Sequence, residues 1–209
     1  MDMKKIVEPV QEITEFIENE EIYIEEIESH THYKNCRIEM RFGVKKINEV
    51  KFENCQFEIK DFNNMEFLDV VFINCDLSNK DFSDSILYRT RFETCKLSGG
   101  NFIGTVLKNV QWFDCLLSYI NFSDTKMENI LFSEGRLNES YFQEATLKKV
   151  HFKNIDMDEI DLKGTDLRGV DLSEATFETI SLDIPLAKGL IIDYSQAYKI
   201  ISLCGIVIK

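Results

Sequence analysis

Four cysteines recur at an interval of twenty residues, and they are the first side chains in the chain that could carry chemistry. A column of Cys55, Cys75, Cys95 and Cys115 could bind a soft metal ion or alternate between thiol and disulfide. Neighbouring parallel strands lie about 4.8 Å apart, whereas the Cβ atoms of a disulfide lie about 3.8 Å apart. We therefore favour buried, reduced thiols that fill a core, and keep a metal or redox column as the alternative.

Other candidate reactive groups form no recognisable set. His30 and His32 form an H-x-H pair that could bind a metal from a strand, but no third ligand is evident nearby. His151 is expected on the surface. The chain contains no phosphate-binding loop, no G-x-G-x-x-G, no G-x-S-x-G and no CxxC pair. We expect a protein that is not an enzyme and needs neither cofactor nor metal.

The cysteines belong to a longer pattern in which a large apolar residue occupies every fifth position from Phe52 to Leu182. A step of five matches neither the 3.6-residue period of a helix nor the two-residue period of a strand. The chain must therefore turn once every five residues to keep these side chains inside. From Phe72 to Met157 the inward residues alternate between aromatic and aliphatic, and the cysteine interval makes one coil twenty residues long. Four sides per coil, and nearly seven coils, follow from this pattern.

This pattern resembles the pentapeptide-repeat family, whose unit is approximately A-(D/N)-L-x-x. The segments that match best are Ile160–Gly164, Thr165–Gly169 and Val170–Glu174. The resemblance implies an all-β fold, a right-handed quadrilateral β-helix. Lys60 and Lys80 fall at inward positions, and we expect their stems to pack there while the ammonium groups turn outward.

The flanks divide the chain into three segments. Residues 1–31 are predicted to be an acidic N-terminal cap with a helix that starts at Pro9 and includes Phe16 and Ile17. Residues 32–184 form the β-helix. A 19-residue interval from Tyr33 to Phe52 places a one-residue slip in the first coil, before an inward Phe42. Residues 185–209 are predicted to form a C-terminal cap.

The C-terminal segment is predicted to contain a helix capped by Ser195 and ending near Leu203, followed by a strand at residues 206–208. Two stretches, Leu190–Ala197 and Leu203–Ile208, resemble the tail of Qnr-type quinolone-resistance proteins. That resemblance implies a homodimer formed through the C-terminus. The residues expected at this contact are Tyr194, Tyr198, Ile201, Leu203, Ile206 and Ile208.

The same resemblance implies a rod that binds DNA gyrase or topoisomerase IV in place of DNA and changes quinolone sensitivity. The chain has a formal net charge of −13, and the four-sided register places the acidic residues of the repeat mainly on two adjoining walls. Each wall is named here by one inward residue, and these two are the Leu77 wall and the Phe82 wall. Their acidic residues proposed for DNA mimicry are Asp61, Asp76, Asp81, Asp84, Asp124, Glu144, Asp156, Asp158, Glu159 and Asp161.

A general protein-interaction scaffold without gyrase activity is the alternative function. Its predicted contact is an apolar patch on the Phe72 wall and the wall next to it, formed by Val71, Ile73, Phe113, Leu116, Tyr119 and Leu131. An enzyme or metalloprotein is the third and weakest hypothesis. No apolar run reaches the length of a membrane span, and Met1–Pro9 lacks the apolar core of a signal peptide. We expect a cytoplasmic protein that binds neither membranes nor nucleic acid directly.

Overall fold

The computed structural model describes residues 6–59 and 61–206, and these form a four-sided β-solenoid. Its strands are β1 Glu15–Glu18, β2 Glu21–Tyr23, β3 Thr31–Lys34, β4 Arg37–Glu39, β5 Lys46–Glu53, β6 Gln56–Phe57, β7 Glu66–Ile73, β8 Ile86–Glu93, β9 Val106–Leu116, β10 Lys126–Arg136, β11 Thr146–Lys153, β12 Ile160–Asp161 and β13 Ile180–Ser181. An eight-stranded parallel sheet has the order β1-β3-β5-β7-β8-β9-β10-β11, a three-stranded sheet has the order β2-β4-β6, and a two-stranded sheet pairs β12 with β13. The predicted quadrilateral β-helix is confirmed.

The strands stack with a register of twenty residues, as the sequence period predicts. Phe67 pairs with Leu87, and Leu87 pairs with Leu107. The long strands cross a corner of the square, so that β7 carries Phe67 on the Leu87 wall and Phe72 on the Phe72 wall. The large sheet therefore wraps around the edge that these two walls share.

Each corner is made by one residue with a left-handed backbone. Every fifth residue from Asn64 to Gly169 has a φ between 48° and 76°. This region costs most L-residues about 1–2 kcal/mol, and Asn, Asp and Gly adopt it most readily. Many corners accordingly carry Asn, Asp or Gly. Corners on the Leu77 and Phe82 walls also close a turn, as where the Gly100 amide donates to the Leu97 carbonyl at 2.9 Å.

The lumen is filled by two columns of aromatic rings on opposite walls. Phe72 and Phe92 stack at 5.0 Å, and Trp112 and Phe132 stack at 4.6 Å on the same wall. On the facing wall Phe82 and Phe102 stack at 4.6 Å. The inward residues between Phe62 and Phe142 are buried. Aromatic residues stack on aromatic residues, and aliphatic on aliphatic, because the two types alternate along the chain and the coil contains an even number of sides.

The cysteine column is part of this packed core. Cys36, Cys55, Cys75, Cys95 and Cys115 are buried and unbridged. The Cys55 thiol donates to the Tyr33 carbonyl at 3.3 Å. Burial raises the pKa of Cys55 to about 12, so that this thiol stays neutral and unreactive.

The first coils depart from the predictions in two places. The predicted helix after Pro9 is wrong, because residues 6–14 are without regular structure and β1 pairs with β3 as a coil of the solenoid. Ile38 pairs with Phe57, whereas Ile47 pairs with Phe67, so that the one-residue slip lies between Ile38 and Ile47. The prediction of an inward Phe42 is wrong, since its side chain is 72% exposed in the loop that absorbs the slip.

A compact C-terminal segment covers the last coil. The only α-helix among the described residues, α1, spans Ala197–Ser202 and is shorter than predicted. The predicted cap at Ser195 is wrong, because Asp193 caps the preceding 3-10 turn through the Ser195 amide. Gln196 donates to the carbonyls of Leu172 and Ala175 at 2.9 and 2.7 Å, which satisfies acceptors at the open end of the rod.

The structure tests the prediction for one of the two inward lysines, Lys80, but not the prediction for Lys60. Lys80 is half-buried, and its ammonium group donates to the Phe57 carbonyl at 2.8 Å. This contact lies on the preceding coil, so that the predicted outward turn of this ammonium group is wrong. The prediction for Lys60 lies outside the described residues, as do Ile208 and most of the predicted strand at residues 206–208.

We predict that Phe122→Ala lowers the free energy of unfolding by about 3–5 kcal/mol, because it opens a cavity beside Phe102 and Phe142. Urea denaturation followed by circular dichroism measures this change. The control is Phe42→Ala, which removes an exposed ring and should change stability by at most about 0.5 kcal/mol. Equal losses in the two variants would contradict the assignment of the lumen.

We also predict that one thiol per native chain reacts with Ellman's reagent. Cys204 is exposed, whereas the other five thiols are buried. All six should react in denaturant. Cys204→Ser should leave the native protein without a fast-reacting thiol, and rapid reaction of that variant would show that the cysteine column is accessible.

Candidate functional site

The structure brings the predicted acidic residues onto two adjoining walls. Asp61 pairs with Asp81 on the Phe82 wall, and Tyr141 pairs with Asp161 farther along the same row. On the Leu77 wall, Arg136 pairs with Asp156. Because successive coils lie about 4.8 Å apart, carboxylates in one row repeat at that spacing or a multiple of it.

Several of these carboxylates have a structural task. Those just before an inward residue accept a hydrogen bond from the amide two residues later, as Asp61 does from Asn63 and Asp81 from Ser83, each at 3.0 Å. Asp76 and Asp161 make the same bond. Such bonds stabilise the turn that follows.

The Asp158 carboxylate accepts more backbone hydrogen bonds than those of Asp61 and Asp81. Its Oδ1 atom accepts from the backbone amides of Thr179 and Glu178 at 2.6 and 2.9 Å. The bond from the Thr179 amide is the main reason why the pKa of Asp158 is lowered. This carboxylate fixes the next coil and is less available to a partner.

Among the described residues, four predicted acidic residues are free of such bonds, namely Glu159 on the Leu77 wall and three on the Phe82 wall. Asp84, Asp124 and Glu144 occupy corners of the Phe82 wall, with Gly104 at the corner between the first two, and all three are exposed. No side-chain hydrogen bond or ion pair involves them within residues 6–59 and 61–206. We call these three residues the free carboxylate edge. It lies where the Phe82 wall meets the Leu87 wall, and it is the part of the acidic surface best able to bind a cationic partner.

The Leu87 wall differs in charge from the acidic walls. It carries Lys108 and Lys148 on either side of Glu128, whose carboxylate lies 3.6 and 3.3 Å from their ammonium groups. A shallow depression of about 360 Å³ lies among these residues and Val106 and Met127. Two opposite walls of the rod therefore differ in charge, since the Leu87 wall is basic and the Leu77 wall on the other side of the lumen is acidic.

The predicted apolar patch is divided by the structure. Leu116 and Tyr119 are exposed, and Ile73, Phe113 and Leu131 are half-buried. Val71 is only 2% exposed although it lies in an outward row. The next residues of that row, Arg91 and Gln111, bind the N-terminal segment, and we attribute the burial of Val71 to the same segment. The patch of six residues is not a single exposed surface.

Residues 6–11, which we call the strap, lie along the edge between the Leu87 and Phe72 walls. The Val7 amide donates to Asn109 at 3.4 Å, and the Val10 amide donates to Asp69 at 2.9 Å. The Glu8 carboxylate accepts from Gln111 at 3.1 Å and from Arg91 at 3.4 Å. Sequence reasoning missed this strap, because no period or motif links residues about a hundred positions apart.

The predicted dimerisation residues that are described are exposed. The exposed fractions are 93% for Tyr194, 52% for Tyr198, 37% for Ile201, 41% for Leu203 and 56% for Ile206. They surround α1, and this segment is attached to the last coil by Gln196, which donates to the Ala175 carbonyl, and by Lys199, which contacts Glu178. Large apolar side chains left uncovered beside a satisfied cap are typical of a protein contact.

Each imidazole of the histidine pair lies beside a glutamate carboxylate of a neighbouring coil. His30 Nε2 lies 3.0 Å from Glu49, and His32 Nε2 lies 3.1 Å from Glu53. Burial is the main cause of the lowered pKa of His32. Within residues 6–59 and 61–206, no group of three or more His, Cys, Asp or Glu side chains is placed to hold a metal ion. The same residues include no helix that is long and apolar enough to cross a membrane.

The chain is similar to solved structures of two known proteins. QnrB1, described as a plasmid-mediated fluoroquinolone resistance protein, is 20% identical, with 94% of this chain and 100% of that chain covered and a TM-score of 0.49. HetL of the cyanobacterium Nostoc sp. strain PCC 7120, described as involved in heterocyst differentiation regulation, is 15% identical, with 89% and 88% covered and a TM-score of 0.23. No curated protein matches the chain.

Two family models match the repeat directly. Residues 65–142 match a pentapeptide repeat region, and residues 145–182 match pentapeptide repeats in eight copies. Together they cover more than half of the chain. The first match lies wholly within the run of left-handed corners from Asn64 to Gly169, and the second extends beyond its end. The chain belongs to the pentapeptide-repeat family.

Proposed function

We propose that this protein is a non-enzymatic rod that binds a type II topoisomerase, DNA gyrase or topoisomerase IV, at its DNA-binding surface and changes its sensitivity to quinolones. The observation that carries the proposal is the free carboxylate edge, Asp84, Asp124 and Glu144, beside two acidic walls. The resemblance of the C-terminal tail to Qnr-type proteins selects the class of enzyme.

The physical basis is electrostatic complementarity. A groove that binds duplex DNA is lined with cations that neutralise phosphates, and a rod with carboxylates along one edge offers the same groove negative charge. The Phe82 wall carries seven acidic side chains against one lysine, Lys163. Duplex DNA carries one charge per about 1.7 Å. The net charge of this wall is smaller than that of a duplex of the same length, so that the rod reproduces the charge of DNA only in part. Binding should weaken steeply as salt concentration rises.

A homodimer would lengthen this acidic surface. The exposed residues around α1 lie at one end of the solenoid, so that a tail-to-tail contact places two rods end to end. Each copy then contributes one free carboxylate edge to the assembly. We propose a cytoplasmic location, where the enzyme acts.

A general protein-interaction scaffold remains the second candidate. Leu116 and Tyr119 favour it, because they are 39% and 56% exposed on the Leu77 wall. A hydrogen bond to Glu139 is the main cause of the raised pKa of Tyr119, so that this hydroxyl already has a carboxylate partner. If this surface is the site, Leu116→Ser should abolish binding of a partner other than a topoisomerase.

We predict that wild-type protein alters the supercoiling activity of gyrase or its inhibition by ciprofloxacin, and that Asp84→Asn, Asp124→Asn and Glu144→Gln together weaken the effect at least about tenfold. The reason is loss of the unpaired charges that face the cationic groove. The readout is a supercoiling assay titrated with each protein, with and without the drug.

The matched control changes the same number of charges on the Phe72 wall, by Asp114→Asn and Glu134→Gln at two corners and Glu174→Gln at the equivalent position two coils further along. This variant should keep the wild-type effect. Equal losses in the two triple variants would show that net charge alone matters, and an inactive wild-type protein would refute the proposed function.

We predict that Tyr194→Ser with Ile206→Ser converts a dimer into a monomer of 24.4 kDa. Both side chains are exposed, and neither makes the cap contacts of Gln196 and Lys199, so that the fold should persist. Light scattering after size exclusion measures the mass, with Tyr119→Ser as the control. A wild-type monomer, or a dimer that survives the double substitution, would refute the contact.

A further inference from the structure

Four outward-facing residues beneath the strap are buried, unlike most of their neighbours. Their exposed fractions are 1% for Asp69, 2% for Val71, 3% for Asn109 and 1% for Gln111. They lie on the edge between the Leu87 and Phe72 walls, and side chains in these rows elsewhere on the rod, such as Lys149 and Asp171, are exposed. These four residues and Arg91 form what we call the edge groove.

The edge groove binds the strap as a binding site would hold an extended peptide. The side-chain oxygens of Asp69 and Asn109 accept from the backbone amides of Val10 and Val7. These contacts do not depend on the strap's side chains. Arg91 and Gln111 supply selectivity, because they converge on one carboxylate, that of Glu8.

The floor of the groove is held in place by a hydrogen bond between two residues of the solenoid. Arg89 Nε lies 2.6 Å from Asp69 Oδ1, which joins two successive coils. This pair neutralises the buried carboxylate and fixes its orientation. Its partner Asp69 is the main cause of the raised pKa of Arg89, so that the cation is permanent.

The strap is held loosely compared with the solenoid. Val7 and Val10 are 50% and 45% exposed, although valines usually contribute by burial. Counted from residue 6, the first backbone hydrogen bond to a coil is donated by Thr14 to the His30 carbonyl. The strap can therefore detach without breaking a strand pairing of the solenoid, as a segment of low local stability does.

We propose that the edge groove is a docking site for an extended peptide of a partner protein that bears a glutamate between β-branched residues, and that the strap occupies this site in cis until the partner displaces it. β-Branched residues favour the extended backbone that the groove accepts. The strap itself supplies the template, since Glu8 lies between Val7 and Val10.

The charges of the groove favour such a peptide over nucleic acid. Arg91 also lies 2.7 Å from Glu93, and Arg89 is paired with Asp69, so that a run of phosphates would meet two carboxylates. A single carboxylate needs only Arg91 and Gln111. The site is separate from the free carboxylate edge, and the proposal does not depend on the proposed function.

The test uses a fluorescently labelled peptide of residues 6–13 and the full-length protein. Val10→Pro removes the amide that donates to Asp69 and should open the strap. We expect this variant to bind the peptide saturably in fluorescence anisotropy, and the wild-type protein to bind it at least about tenfold more weakly, because the tethered strap competes at high effective concentration. Glu8→Ala is a second opening variant that introduces no proline.

Specificity is tested in the Val10→Pro background. Adding Arg91→Ala, or replacing the peptide's glutamate by glutamine, should weaken binding at least about tenfold, whereas the control Arg136→Ala on the Leu77 wall should not. Circular dichroism verifies the fold of each variant. The proposal is overturned if neither opening variant binds the peptide, if Arg91→Ala has no effect, or if a single-stranded oligonucleotide displaces the peptide as well as unlabelled peptide does.

Discussion

The fold depends on one backbone constraint, the left-handed residue that turns the chain every fifth position. Without it the inward residues would alternate between two faces of a flat strand, and no lumen could close. The cost of this conformation is reduced where Asn, Asp or Gly occupies the corner, as at Asn64, Asp84 and Gly104. Where Arg89 or Tyr119 takes the corner instead, the ladder of coils above and below holds the residue in place.

The carboxylates of the rod have two different physical roles. Asp61 and Asp81 accept backbone amides and so belong to the machinery that turns the chain. Asp84, Asp124 and Glu144 lie at the corners themselves and are exposed, and none of their side chains accepts a hydrogen bond within residues 6–59 and 61–206. Net charge alone does not separate these roles. A surface that mimics a polyanion depends mainly on the second group, because its charge is not already committed.

The N-terminal segment binds to the outer surface of the solenoid. Each coil contacts only its neighbours along the axis, so that the four walls stay available for lateral contacts. The strap uses the edge where two walls share one continuous sheet, and there Asp69 and Asn109 accept its amides. We attribute to this segment the burial of Val71, a residue that the repeat pattern places on the outside.

The repeat was predictable because it is local. A large apolar residue every fifth position, with cysteines every twentieth, determined the coil, its four sides and the burial of Cys55 through Cys115. The inward position of Phe42 was predicted wrongly, since the 19-residue interval reveals a missing residue but does not show which residues form the loop that absorbs it. The helix after Pro9 was also wrong, because its apolar spacing fits a helix equally well when tertiary contacts hold the chain extended.

By itself, then, the sequence determined the architecture, the lumen and the wall on which each charged residue lies. The tertiary structure decided which of those carboxylates are free of hydrogen bonds. Asp158 accepts a backbone amide, whereas the exposed side chain of Asp124 accepts no hydrogen bond from the described residues. It also decided that the strap lies against Asn109 and Gln111, more than a hundred residues away. The physical reason is that a period reports contacts between neighbouring coils, whereas a contact across several coils depends on three-dimensional proximity that no period encodes.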